Sequence, residues 1–133
     1  MEKLLKFLND SSVFYLATME GNMPRVRPFG FSMIYDNKLY FLTNTEKNVY
    51  KQLENNPSFE ICALSPSNEW IRINGQAKFD NDNLDAKKKV FEIAPDLLGL
   101  YESPENPKMS LFYLSKGSAT VYSMKNDPKL INF

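Results

Sequence analysis

The sequence predicts a mainly β (α+β) domain, an antiparallel barrel of six or seven short strands with helices packed on its outside. Three observations predict it. Short runs rich in β-branched and aromatic residues recur along the chain, most of them separated by tight-turn signals rather than by long helical crossovers. The 133 residues suffice to bury a real core and fall in the usual range of one domain. Closing the sheet on itself removes exposed strand edges, with the few helical stretches left to cover its faces.

The elements follow in order. From Glu2 to Leu8, Leu4, Leu5 and Leu8 recur at helical spacing, and Asn9-Asp10-Ser11-Ser12 ends the helix. Val13 to Met19 is a first strand closed by the Glu20-Gly21-Asn22 turn, and Arg25 to Tyr35 reads as one long second strand. Asp36-Asn37 turns into a third strand, Lys38 to Asn44. Between Glu46 and Asn55 the period becomes helical, with Val49, Tyr50 and Leu53 on one face, until Asn56-Pro57 stops it. Ser58 to Leu64 and Glu69 to Phe79 are strands flanking Ser65-Pro66-Ser67-Asn68, and Gly75 marks a bulge or a close backbone approach. Leu84 to Ile93 is a helix with Leu84, Val90, Phe91 and Ala94 as its apolar residues and Lys87-Lys88-Lys89 turned to solvent. Pro95 to Pro107 is a connection, and Leu111 to Leu114 and Ala119 to Met124 are two last strands joined at Lys116-Gly117.

Composition narrows the chemistry. Lysine plus arginine equals aspartate plus glutamate at 16 each, so no overall field gathers nucleic acid or an anionic membrane, and any anion site is local. No apolar run approaches the roughly 20 residues of a membrane helix and no export signal opens the chain, which predicts a cytoplasmic protein. The single cysteine, Cys62, lies in the apolar run Phe59 to Leu64 and is expected to be a small buried hydrophobe. Histidine is absent, which removes the commonest general base, the usual partner of a nucleophilic Ser or Cys, and the commonest zinc ligand. Catalysis, if present, would draw on an organic cofactor that the protein binds and orients.

Three segments carry residues suited to such a cofactor. Strand alternation places Arg25, Arg27, Phe29 and Phe31 on one face, two planar donor forks beside two aromatic rings. The pattern alone fits two solvent-facing arginines equally well. Leu42-Thr43-Asn44-Thr45 ends a strand and leads into a helix carrying Lys47 and Lys51 one turn apart, which is either an anion pocket or an ordinary cap beside solvated lysines. Trp70 to Gly75 holds the only tryptophan, facing the same way as Arg72, and Trp70 suits a core or interface position as well as a ligand contact.

In this order the segments resemble the pyridoxamine 5′-phosphate oxidase-like family of FMN-binding split barrels, over Val13 to about Met124. The features that carry the resemblance are Arg27 on the second strand, Thr43-Asn44 after the third, Leu53 to Pro57 ending the helix, and Trp70 to Gly75, with no gap between Arg27 and Pro57. The resemblance implies FMN lying between two subunits of a homodimer, its phosphate on Arg27, with Leu42 and Thr43 in contact and Trp70 approaching from the partner. The cofactor-binding set takes Arg25, Arg27, Pro28 and Phe29 from the second strand and Leu42, Thr43 and Asn44 from the turn. The helix contributes Lys47, Asn48 and Lys51, and the later strand Trp70 and Arg72. No side chain is assigned a catalytic or metal-binding role.

Two departures shape the functional expectation. Asn48-Val49 stands where oxidases of the family carry a basic pair, so the cation beside Arg27 falls to Lys47 or Lys51. Nothing after Tyr113 supplies the Trp and Arg with which those oxidases complete their active site, and the histidine common in nitroimidazole-reducing relatives is absent. The resemblance therefore implies an FMN-dependent oxidoreductase acting on a small molecule other than pyridoxamine phosphate. The competing expectation is a non-catalytic module that stores or senses a flavin, haem or another planar anion, the haem branch being disfavoured because histidine ligation is impossible; a deazaflavin cofactor is a third expectation.

Overall fold

The computed structural model describes residues 1–133 and contains eight strands, β1 Phe14–Glu20, β2 Met23–Phe29, β3 Ser32–Tyr35, β4 Lys38–Asn44, β5 Ser58–Leu64, β6 Trp70–Phe79, β7 Met109–Tyr122 and β8 Lys129–Ile131. Four helices accompany them: α1 Glu2–Ser11, α2 Asn48–Asn55, α3 Leu84–Ile93 and the single turn α4 Leu98–Tyr101, preceded by a 3₁₀ turn at Pro95–Leu97. Every strand pairing is antiparallel, in the order β2-β1-β5-β6-β7-β4-β3, and β8 adds to β7. The two end strands of that path, β2 and β3, are separated in the chain only by Gly30 and Phe31. The sheet is thereby bent back on itself, as the predicted barrel requires.

Alternation along the strands fills the inside. Phe14 and Leu16 of β1, Leu39 and Phe41 of β4, Phe59 and Ile61 of β5, Ile71 and Ile73 of β6, and Phe112 and Leu114 of β7 form one core, which Val49 and Leu53 of α2 and Leu4 and Leu8 of α1 close. Phe112 is its hub, with the rings of Phe29, Phe41, Phe59 and Phe79 at centroid distances of 5.4–6.3 Å. A second core lies on the opposite face of β3, β4 and β7, where Met33, Tyr40, Met109 and Leu111 meet Ala86, Val90 and Phe91 of α3 and Tyr101 of α4. β4 is therefore buried on both faces.

Several expectations are corrected. The long second strand breaks at Gly30-Phe31 into β2 and β3, which lie at opposite ends of the sheet path. The two last strands are one, because Lys116 and Gly117 do not form a hairpin turn. β7 continues through them, with Asn74 opposite Ser118 and Gln76 opposite Ser115, so Lys116 and Gly117 together oppose the single residue Gly75 in a bulge of one extra residue. Gly75 is thus both bulge and close approach, since a Cβ there would stand 2.6 Å from Leu114 Cδ1 and 2.8 Å from the Ser115 carbonyl oxygen. β8, three residues long and mostly exposed, was not expected, and with it the strands number eight.

Cys62 is exposed rather than buried, because Phe59, Ile61 and Ala63 take the inward parity of β5. Lys87 is buried and Lys89 donates to the Ile34 carbonyl at 2.7 Å, so only Lys88 of the lysine run is solvated. Burial lowers the Lys87 pKa, with Asp82 partly opposing the shift. No helix is long and apolar enough to cross a membrane.

Candidate functional site

The β1–β2 hairpin sets Arg27 opposite Leu16 and Arg25 opposite Thr18. Arg27 is half-buried, with Val26 and Pro28 exposed on either side of it and Phe29 packed on the core. Its Nη1 donates to the Leu16 carbonyl at 3.1 Å and to Thr18 Oγ1 at 2.7 Å, and its Nη2 donates to Gln52 Oε1 at 2.6 Å. Burial lowers its pKa, yet a guanidinium stays charged. The chain has three arginines. Arg25 is paired with Glu20 and Arg72 with Glu60, whereas Arg27 meets only neutral acceptors, and its Nε–H has none.

Across from Arg27, the end of β4 leads into α2. Asn44 Oδ1 accepts from the Glu46 amide at 2.9 Å and the Asn44 carbonyl from the Lys47 amide at 3.0 Å, a turn that occupies the two residues expected to begin the helix. Lys47 is the N-cap in extended backbone and no side chain caps the helix, so its first amides point out without an acceptor from a side chain. The Thr43 side chain is 3% exposed, and its Oγ1 is the one buried side-chain polar atom with no hydrogen-bond partner.

Two adjoining clefts meet at Arg27, Lys47 and Val49. The first, of about 450 Å³, is walled by Phe29, Phe31, Leu42, Thr43, Leu97 of the α3–α4 connection and Tyr101 of α4, with Asp96 as its one carboxylate. The second, of about 370 Å³, adds Arg25, Asn48, Gln52 and Glu20. The structure therefore brings together Arg25, Arg27, Pro28, Phe29, Leu42, Thr43, Lys47 and Asn48. Asn44 lies at the adjacent turn, and Lys51 opens onto a third cleft with Gln52 and Asn55.

Trp70 and Arg72 line none of these clefts. They stand on the outer face of the sheet, where Trp70 stacks on Tyr122 (5.7 Å, interplanar angle 13°) and Arg72 donates to both Glu60 oxygens at 3.0–3.2 Å. The register continues this face through Cys62 and Tyr15 beside Arg72 and through Leu64 beside Trp70. Tyr15 and Leu64 are exposed there.

Sequence reasoning missed Gln52, Thr18 and Tyr101. Gln52 carried a signal, since it shares the face of α2 with Val49 and Leu53, where an uncharged polar residue is buried only with partners.

Comparison with known proteins identifies the family and the fold. A family profile described as pyridoxamine 5′-phosphate oxidase matches residues 1–115. A NimC/NimA family protein of Clostridium acetobutylicum has a crystal structure that superposes with a TM-score of 0.92, at 37% identity over 98% of this chain and 90% of that one. General Stress Protein 26 of Bacillus anthracis superposes with a TM-score of 0.77, at 19% identity over 99% of this chain and 97% of that one. A pyridoxamine 5′-phosphate oxidase-related, FMN binding protein of Nostoc punctiforme superposes with a TM-score of 0.63, at 19% identity over 98% and 96% of the two chains. The last two likenesses concern the fold. No curated protein matches the chain.

Proposed function

The chain belongs to the pyridoxamine 5′-phosphate oxidase family, and from that premise we propose that it is an FMN-dependent oxidoreductase whose Arg27 cleft holds the cofactor phosphate. The observation that carries the reading is the charge of Arg27, half-buried on a cleft wall and matched by no carboxylate. A half-buried cation without a counter-ion favours an anionic ligand, and a guanidinium edge suits phosphate.

The other residues fit the same group. The orphan Thr43 Oγ1 gains an acceptor or donor partner from a ligand in the cleft. Lys47 and the uncapped start of α2 add positive potential at the junction of the two clefts. Phe29, Phe31 and Leu42 offer the apolar walls against which a flat ring system packs, and they exclude water from its face. Bound FMN supplies reversible transfer of a hydride or of single electrons. The chain's own contribution is to bind and orient; no side chain is assigned a proton-transfer step.

Two copies of the chain complete the site. Support comes from the outer sheet face, where Trp70, Tyr122, Tyr15 and Leu64 gather beside Arg72 away from their own clefts. Only a neighbouring copy brings Trp70 to a flavin. Sedimentation should give a dimer, and a monomer that binds FMN tightly would sink this half of the proposal.

The cofactor reading is tested by titrating the purified protein with FMN and with riboflavin, which differ by the phosphate, and by adding a nicotinamide donor anaerobically. FMN should bind tighter, and Arg27→Ala should weaken FMN by roughly tenfold to a hundredfold while leaving riboflavin nearly unchanged. A colourless protein that binds neither flavin would refute it. Bound FMN that no donor reduces faster than free FMN would favour a storage or sensing role.

A further inference from the structure

We propose that Gln52 is the positioning residue that makes the Arg27 cleft selective for a phosphate monoester, an inference that rests on reading Arg27 as the phosphate anchor. Arginine only donates, so the Gln52 atom 2.6 Å from Nη2 is the amide oxygen. Thr18 Oγ1 accepts from Nη1 at 2.7 Å and lies 2.6 Å from that same amide oxygen, so it donates its own hydrogen there. The three side chains close a ring of hydrogen bonds in which every contact has one donor and one acceptor.

The ring has two consequences. Thr18 is 2% and Gln52 6% exposed, so water screens these bonds little and the Nη1/Nη2 end of the guanidinium is fixed in place. The acceptors that fix it are neutral, which leaves both the charge and the Nε–H available to a ligand. Gln52 Nε2, forced to the far side of the amide, has no protein acceptor, and Gln52 lines the cleft it shares with Arg25 and Arg27.

A carboxylate at position 52 would hold Arg27 as firmly, with the same shape and the same bond from Thr18. It would also neutralise the guanidinium and replace a free N–H donor by an oxyanion facing the phosphate. An amide at this position positions the cation without cancelling it. Selectivity for a dianionic ester over the same ligand without its phosphate then depends on a residue that itself is uncharged.

The experiment compares full-length wild type, Gln52→Glu, Gln52→Met and Arg27→Ala, each titrated with FMN and with riboflavin, with thermal unfolding as a check on folding. Gln52→Glu should lower FMN affinity roughly a hundredfold and leave riboflavin within about twofold, without a fall in melting temperature. Gln52→Met frees the guanidinium from one acceptor and should lose about tenfold on FMN alone, so it serves if the glutamate variant does not fold. Folded Gln52 variants that keep the wild-type FMN-to-riboflavin ratio would overturn the inference while the anchor reading stands. Should the wild type show no preference for FMN, or Arg27→Ala keep it, both fall.

Discussion

Replacing Thr43 with valine separates what this residue does for the fold from what it does for a ligand. The two side chains have nearly the same shape, and Thr43 Oγ1 is buried without a partner, so the substitution removes an unsatisfied hydroxyl and adds a methyl among Leu42, Phe29 and Tyr101. A buried hydroxyl without a hydrogen bond costs about 1–3 kcal/mol. With an unfolding entropy of about 2.1 cal/mol/K per residue over 133 residues, 1 kcal/mol corresponds to about 3.5 °C. Ligand-free Thr43→Val should therefore melt about 3–10 °C higher than wild type. With FMN the sign reverses, because a hydroxyl bond to a charged phosphate contributes about 1.5–3 kcal/mol, so the variant should bind FMN roughly tenfold to a hundredfold more weakly. Calorimetric melting with and without FMN measures both. A lower melting temperature in the ligand-free variant would mean that the hydroxyl is already satisfied in the fold, and unchanged FMN affinity would remove Thr43 from the site.

Two further predictions concern the frame. Gly75→Ala should cost about 2–3 kcal/mol in urea unfolding, because the new Cβ meets the Ser115 carbonyl and Gly117 Cα as well as Leu114, and backbone in a double-sided ladder yields little; a neutral result would mean that the bulge is loose. Tyr40, fully buried and donating to Asp80 Oδ2 at 2.6 Å, has its pKa raised by burial and then by Asp80. The folded state thus keeps a proton that the unfolded chain releases, so stability should hold below about pH 10 and fall above it by up to about 1.4 kcal/mol per pH unit. Tyr40→Phe should flatten that alkaline slope in urea titrations while costing about 1.5–3 kcal/mol at neutral pH through the lost bond to Asp80. Tyr50 and Tyr101, also raised by burial, sustain part of the slope in the variant.

What the sequence concealed has a common physical origin. Asn56-Pro57 stops α2 and Gly75 marks a bulge because each residue type has few alternative uses. Lys116-Gly117 fails that condition. Lys116 has φ +50°, a conformation shared by hairpin turns and bulges, and only the pairing with β6 decides between them. In Phe59 to Leu64 the outward parity holds Glu60 but also the apolar Cys62 and Leu64, so the one charged residue that marks the outer face is outweighed by two apolar ones. Lys87 was misjudged by its charge, although it falls on the buried face of α3 with Ala86, Val90 and Phe91, where a long aliphatic stem covers apolar surface. In the site, Arg27, Thr43 and Lys47 were legible as residue types, but their partners Thr18 and Gln52 lie 9 and 25 residues from Arg27 and meet it only through the sheet register and the docking of α2.

The zero net charge of the chain bears directly on how such a site works. Two of the three arginines are matched by glutamates on exposed surfaces, where a pair contributes little to stability but removes the cation from the long-range field. Arg27 keeps its charge because its fixed neighbours are a carbonyl, a hydroxyl and an amide. A neutral protein with one uncompensated, half-buried guanidinium has little means to steer an anion from a distance, since it has no net charge and the field of a local cation is largely screened beyond a Debye length of about 8–10 Å. It can still hold one firmly once it arrives, because donors already locked in place lose no further entropy on binding. Discrimination between phosphorylated and unphosphorylated ligands therefore resides in the dissociation rate, and association rates for the two should be alike.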